Sequence, residues 1–210
     1  MTDPDATYRT LAGRGEAAFE IRGSKFLGHA APETTVEDAE AFVERVEAAY
    51  DDATHNVPAY RVRVESGGPG SAMLREYSSD DGEPTGSAGK PALGVLQGRD
   101  VENAVVVVTR YYGGTNLGVG GLVRAYSRAA KEAVADAGVV EERPQTRFLV
   151  TVVYDDSGAV RGILESADAM VDADYEERVS FAVQVATADA DALRDRIRSA
   201  TSGRAEIGER

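Results

Sequence analysis

Cysteine is missing from this 210-residue chain, so disulfides and thiolate chemistry are excluded. Histidine occurs twice, at His29 and His55, and two imidazoles without cysteine cannot build a zinc site. No apolar run approaches the roughly 18 residues of a membrane span. The opening MTDPDATYRT is acidic and has no basic patch leading into an apolar core, so neither an export signal nor a membrane partner is expected. The expected location is the cytoplasm.

Lysine is nearly missing too. Only Lys25, Lys90 and Lys131 contribute to the 23 basic residues, the other twenty being arginine, and the net charge is −13. Excess acid with little lysine is the balance that solubility at very high salt favours, which points to a halophilic protein. A genome that encodes arginine more readily than lysine gives the same balance. A hydrophobic fraction of 42% fits a globular chain, long enough for one large domain or two small ones.

The most informative absence is local. From Asn103 to Lys131 there is no acidic residue, where the chain average of 36 in 210 would place about five. The stretch reads as a buried strand (Ala104 to Val108), then Thr109-Arg110-Tyr111-Tyr112, then a loop holding Gly113, Gly114, Gly118, Gly120 and Gly121, then a helix entering near Val119. Glycines after a strand let backbone N–H groups wrap an anion, aided by a helix N-terminus; tight turns and close helix–sheet packing need them equally. No cofactor is implied. A GxxxxGK[ST] loop begun at Gly113 has Val119 in place of its lysine, and a GxGxxG loop begun at Gly118 has Val123 at its third glycine. On the helix, Leu122, Val123, Tyr126, Ala129, Ala130 and Ala133 form the inner side, while Arg124, Arg128 and Lys131 fall at i, i+4 and i+7 on the outer side.

Around this unit, Glu16 to Ala30 reads as a hairpin broken at Gly23-Ser24, after a loosely held lead-in over residues 1 to 15. Thr35 to Tyr50 is an amphipathic helix capped by Thr35. Asn56 to Val64 is a strand whose Pro58 suggests an edge position or its first residues, Ser66 to Ser71 a turn, and Met73 to Ser78 the return strand. The polar loop from Ser78 to Pro91 is too long for a casual connection and precedes a short helix, Pro91 to Gln97. After a boundary near Glu142, dividing residues 1–142 from 143–210, the order is strand (Thr146 to Tyr154), helix (Asp156 to Ala167), two strands (Ala169 to Tyr175, Arg178 to Ala186), helix (Ala188 to Ala200) and strand (Ala205 to Ile207). That βαββαβ order is the ferredoxin-like arrangement, its first helix capped by Asp155 or Asp156. The fold class is α+β.

Three further groups carry chemistry. Asp80, Asp81 and Glu83 crowd three carboxylates into four positions, a set that suits Mg²⁺ or acid–base work, or else a solvated Asx turn. Lys90 ends a phosphate-loop fragment, yet Pro91 replaces the hydroxyl that would hold the metal. His55 sits beside Asn56 at a helix-to-strand junction, where a structural hydrogen bond competes with a catalytic role.

SKF (Ser24 to Phe26), THN (Thr54 to Asn56), AYR (Ala59 to Arg61), SDDGEPTGSAGKP and VVVVTRYYGGTNLGVGGLVRAY together resemble the IMPACT/YigZ family over most of residues 24 to 126, and the βαββαβ tail resembles the second domain of its YigZ branch. The resemblance implies an N-terminal α/β sandwich similar to domain IV of elongation factor G and to a small-subunit ribosomal protein. It also implies a tail similar to that factor's domain V. The eukaryotic branch of the family regulates translation through a partner system that a prokaryotic-type chain need not have, and for the YigZ branch the resemblance implies no activity beyond binding of nucleic acid or the ribosome. Asn116 stands where the family has a basic residue, and Val57-Pro58 where it has a cysteine-containing pair.

The leading expectation is a non-enzymatic protein that binds RNA or the ribosome through Arg110, Arg124, Arg128 and Lys131 around the glycine loop, with Lys25, Arg61 and Tyr111 as additional contacts. At about 1 M salt the Debye length falls to roughly 3 Å, so binding would rest on short-range arginine contacts and stacking. The alternatives are a regulator using the same surface on a protein partner, and a Mg²⁺-dependent phosphate-ester enzyme using Asp80, Asp81 and Glu83. The sequence leaves oligomeric state open.

Overall fold

The computed structural model describes residues 7–65, 72–167 and 169–209, so the turn expected at Ser66 to Ser71 lies outside the described residues. Two compact units result, Tyr8–Glu142 and the residues from Arg143 onward. Among the described residues no helix is long and apolar enough to cross a membrane.

The first unit runs β1 (Tyr8–Leu11), β2 (Gly15–Ile21), β3 (Ser24–Pro32), α1 (Val36–Ala49), β4 (His55–Glu65), β5 (Ala72–Ser78), α2 (Gly89–Gly98), β6 (Ala104–Tyr111), α3 (Val119–Ala137) and β7 (Val139–Glu142). β2, β3, β6, β4 and β5 form one antiparallel sheet in that order. The hairpin expected from Gly23-Ser24 is β2–β3, turning on Arg22 and Gly23, whose φ values of 49° and 81° both match the twist of the strands. α1 begins at the Thr35 cap, whose hydroxyl accepts the Asp38 N–H at 3.0 Å.

β6 lies in the middle of the sheet and is covered on both faces, which explains its unbroken apolar run. Ala104, Val106 and Val108 face α2 and α3, whereas Val105 and Val107 face α1. α3 buries Leu122, Ala125, Tyr126, Ala129, Ala130 and Ala133, with Val123 only half-buried. Its alanine face sits against β2 and β3 so closely that a methyl group on Gly28 would lie 2.5 Å from the Ala129 carbonyl oxygen.

One expectation is corrected and another is narrowed. From Tyr8 on, the lead-in is a strand: β1 pairs with β7, from Tyr8 opposite Glu142 to Leu11 opposite Val139, and Leu11 is 2% exposed. Of the two positions expected for Pro58 it takes the second: it is the fourth residue of β4 and not on an edge strand, because β4 lies between β6 and β5. It is tolerated because the β5 register starts only at Ala59 opposite Ser78, and beyond it the Pro58 carbonyl accepts the Ser79 N–H at 3.2 Å.

The second unit runs β8 (Gln145–Val152), α4 (Tyr154–Glu165), β9 (Met170–Tyr175), β10 (Val179–Ala186), α5 (Thr187–Ala200) and β11 (Glu206–Glu209). Its antiparallel strand order β11-β8-β10-β9 is ferredoxin-like, as expected. Alternate residues of β10 (Val179, Phe181, Val183 and Val185) are buried in one core with Val160, Leu164, Leu193 and Ile197 of the two helices. Neither Asp155 nor Asp156 caps α4, which starts after Val153 without a side-chain cap. Asp156 instead accepts two hydrogen bonds from Arg204, at 2.7 and 3.0 Å.

The close approach of α3 gives the first test. Gly28→Ala should destabilise the first unit by about 2 kcal/mol, the scale of overpacking a core, and lower its Tm by roughly 5–10 °C. Calorimetry of the variant against wild type measures both.

Candidate functional site

One row of the sheet collects the site. In the β3–β6–β4 register Phe26 and His55 lie directly opposite Arg110 on either side, and Phe19 lies opposite Phe26. Arg110 continues the even-numbered series of β6 that faces α3, so it points into the core and is 5% exposed. Its guanidinium carbon sits 5.5 Å from the Phe26 ring and 5.3 Å from the Tyr112 ring. One terminal nitrogen donates to Glu83 Oε1 at 2.5 Å and the other to the Ser24 hydroxyl at 3.3 Å. Arg110 is therefore a buried member of an ion pair, not the surface phosphate contact its position in the acid-free stretch suggests.

Glu83 is the hub of this cluster. Its Oε1 also accepts the Tyr126 hydroxyl at 2.7 Å, and His55 Nε2 stands 3.8 Å away. Burial, with the hydrogen bond and charge of Glu83, pushes the Tyr126 phenol up. Loop, central strand and α3 thus meet on one carboxylate.

The rest of the SDDGEP loop serves the backbone. Asp80 accepts the N–H groups of Ala88 and Gly89 at 3.0 and 2.8 Å through one oxygen and that of Gly86 at 2.7 Å through the other. It caps α2, whose own N-cap Ala88 has no side-chain acceptor. Burial opposes ionisation of Asp80, but these three donors and the Lys90 charge outweigh it and hold the carboxyl below its ordinary value. Asp81 accepts the Asn56 N–H at 2.6 Å, and its carbonyl lies 2.5 Å from His55 Nδ1. The three carboxylates are thus spent on different partners, and among the described residues no three metal-ligating side chains converge. The Mg²⁺ reading loses its ligand set. Lys90 is exposed beside Asp80 and forms no phosphate loop.

The remaining candidates divide. Arg61 is 7% exposed and donates to Glu76 at 2.7 Å, to the Val101 carbonyl at 3.0 Å and to the Leu96 carbonyl of α2 at 3.4 Å, so it ties β4 to α2 and the segment that follows it. The Tyr111 hydroxyl bonds Asp52 at 2.6 Å and is pushed up to about 12 by that carboxylate. Gly113 is structural, since a methyl there would lie 1.9 Å from the Gly23 carbonyl carbon. Gly114 and Gly118 take positive φ, and Gly120 and Gly121 open α3. Arg128 is paired with Glu132 at 2.7 Å and lies 4.1 Å over the Phe19 ring. Arg124, Lys131 and Lys25 are exposed, and among the described residues none has an ion-pair partner.

His55, Glu83 and Arg110 form the floor of a cleft of about 520 Å³, rimmed by Tyr112, Asn116, Leu117 and Val119. Tyr112 is 45% exposed, its N–H donating to the Thr54 hydroxyl at 2.9 Å and its hydroxyl to the Asn116 side chain at 3.1 Å. The sequence reading missed Tyr112, Ser24 and the hydroxyl of Tyr126 as parts of one site. The alternation of β6 was the available signal for Arg110, because it puts residue 110 on the face of 104, 106 and 108.

Because the folded Asp80 carboxyl is held low, its contribution is present above the unfolded carboxylate pKa near ~4 and is lost as the pH falls through the folded value. Asp80→Asn should cost about 2 kcal/mol at pH 7, the scale of hydrogen bonds to a charged acceptor. The gap from wild type should close as the pH drops below ~4. Hydrogen exchange of the Gly86, Ala88 and Gly89 amides, followed against pH, measures it.

Comparison with known proteins places the chain. The model of the Impact N-terminal domain matches residues 22–134, and that of a domain of unknown function (DUF1949) matches residues 150–204. The chain is 32% identical over 204 residues to the IMPACT family member YvyE of Bacillus subtilis (strain 168), covering 97% of this chain and 91% of that protein. It is 36% identical over 170 residues to the IMPACT family member YigZ of Escherichia coli (strain K12), covering 80% and 81%. A solved structure described as a hypothetical protein superposes with a TM-score of 0.69 at 30% identity, covering 100% of this chain and 98% of that one. The chain belongs to the IMPACT family, in the two-domain form of YvyE and YigZ.

Proposed function

We propose that this protein acts in translation as a regulator that binds RNA, alone or on the ribosome, through the glycine loop and the exposed side of α3. The observation that carries the reading is the pair of uncompensated cations on α3. Arg124 and Lys131 are exposed and lack ion-pair partners among the described residues, in a chain of net charge −13. α3 begins at Gly118, about 9 Å along the axis from Arg124 and about 20 Å from Lys131, with no side-chain cap, which leaves first-turn N–H groups without a side-chain acceptor, a good setting for phosphate. Tyr112 adds an exposed ring on which a base can stack. Lys25 supplies a third cation on β3, whereas Arg61 and Arg110 are retained as structural residues and Arg128 is half-committed to Glu132.

Arg124→Glu combined with Lys131→Glu should abolish co-sedimentation with ribosomes and weaken binding to single-stranded RNA at least tenfold. Loss of two phosphate contacts should also reduce the slope of log affinity against log salt by about 1.4, at roughly 0.7 per contact on a single strand. Unchanged pelleting by a correctly folded variant would rule the surface out. Pelleting or capture that survives nuclease treatment would point to a protein partner on the same face.

A further inference from the structure

The cleft between the SDDGEP loop and the glycine loop has unmet hydrogen-bonding capacity on its floor. His55 Nδ1 lies 2.5 Å from the Asp81 carbonyl, which can only accept, so the ring proton is on Nδ1. The second ring nitrogen, Nε2, stands 3.8 Å from a Glu83 oxygen, beyond hydrogen-bond distance, and has no other partner among the described residues. Glu83 Oε1 is occupied by Arg110 and Tyr126, but Oε2 receives no hydrogen bond from the described residues, although the side chain is only 4% exposed. A carboxylate oxygen and a ring nitrogen, side by side at the bottom of a cleft without protein hydrogen bonds, suit a ligand that brings donors.

The rim asks for the opposite. First-turn N–H groups of α3 stand without a side-chain cap after Gly118, and a Cβ added at Gly120 would meet the Arg124 guanidinium at 3.5 Å. Between floor and rim are apolar surfaces, Leu117, Val119 and the exposed ring of Tyr112. A simple anion would satisfy the rim but be repelled by Glu83 if it went deeper. A ligand that fits is anionic at one end, flat and aromatic in the middle, and rich in N–H at the other. The cleft volume, about 520 Å³, is of the size of small-ligand sites.

We propose that this cleft holds a single unstacked nucleotide, its base against Tyr112 with donors turned to Glu83 Oε2 and His55 Nε2, and its phosphate on the first turn of α3. The proposal deepens the RNA-binding reading and rests on it for the nucleotide's source. Guanine offers two neighbouring donors on its pairing edge and uracil one, so a guanine nucleotide is preferred. Tyr112 is then a stacking platform, and Glu83 and His55 read the base.

The test is titration of guanosine 5′-monophosphate into the full chain, followed by calorimetry and by NMR of the histidine ring protons. There are only two histidines, and His29 lies on another part of the sheet, packed on Tyr50, so it serves as the internal control. The His55 signal should shift and the His29 signal should not, with uridine 5′-monophosphate at least tenfold weaker. Tyr112→Ala should weaken binding at least tenfold, and Tyr112→Phe, which keeps the ring, by less than threefold. Gly120→Asp places a carboxylate where the phosphate would sit without touching the core, and should also weaken binding at least tenfold. No His55 shift at millimolar nucleotide, an equal shift with inorganic phosphate alone, or full affinity in the Gly120→Asp variant would overturn the proposal. Nucleotide binding without any RNA co-sedimentation would uphold the pocket and overturn the RNA reading, and the reverse pattern would do the opposite.

Discussion

The contact between Glu83 and Arg110 is the constraint on which the site depends. It joins a carboxylate from a ten-residue loop to a guanidinium on the central strand, with both side chains almost wholly buried. A buried pair of this kind adds little net stability over an apolar substitute, because desolvating two charges is costly. Removing one partner is another matter, since the charge left behind has no water to turn to. The pair therefore specifies position: it brings Glu83 under α3, where Tyr126 donates to the same oxygen, and it brings Asp81 to His55. The two aromatic rings flanking the guanidinium, Phe26 and Tyr112, keep Arg110 from swinging out into the cleft.

The same contact revises the charge argument that the acid-free stretch invites. One of its four cations is neutralised by Glu83, twenty residues before the window opens, and another by Glu132, the first residue after it closes. What remains is narrower and better defined: Arg124 on the second turn of α3, near an uncapped helix start and an exposed tyrosine, and Lys131 two turns further along the same helix. Local charge counts find where acid has been removed. They cannot tell a cation freed for a ligand from one whose partner arrives from elsewhere in the fold.

Much of the architecture was legible because it follows from local pattern. The Thr35 cap and 3.6-residue periodicity give α1, the turn at Gly23 gives the first hairpin, and the alternating residues of Val179 to Ala186 mark a half-buried strand. What was missed depends on partners distant in sequence. β1 is a strand only because β7 lies beside it, 134 residues away at the Tyr8–Glu142 pair. Asp156 is drawn from capping by Arg204, and Pro58 fits a central strand only because β5 stops one residue short of it. The carboxylate triplet illustrates the same point, since three neighbours in sequence end on three unrelated tasks. Asp80 caps α2, Asp81 holds β4, and Glu83 enters the core.

The most direct test of the account is a double-mutant cycle between Glu83→Gln and Arg110→Met, read from hydrogen exchange of the β6 amides so that only the first unit is sampled. If the buried pair organises the loop, strand and α3, the two substitutions should be coupled by about 2 kcal/mol or more, within the range for residues in one buried network. Each single variant should also release protection in residues 79–88, and the double variant should release little beyond either. Effects that add to within ~0.5 kcal/mol, as for independent sites, would contradict it.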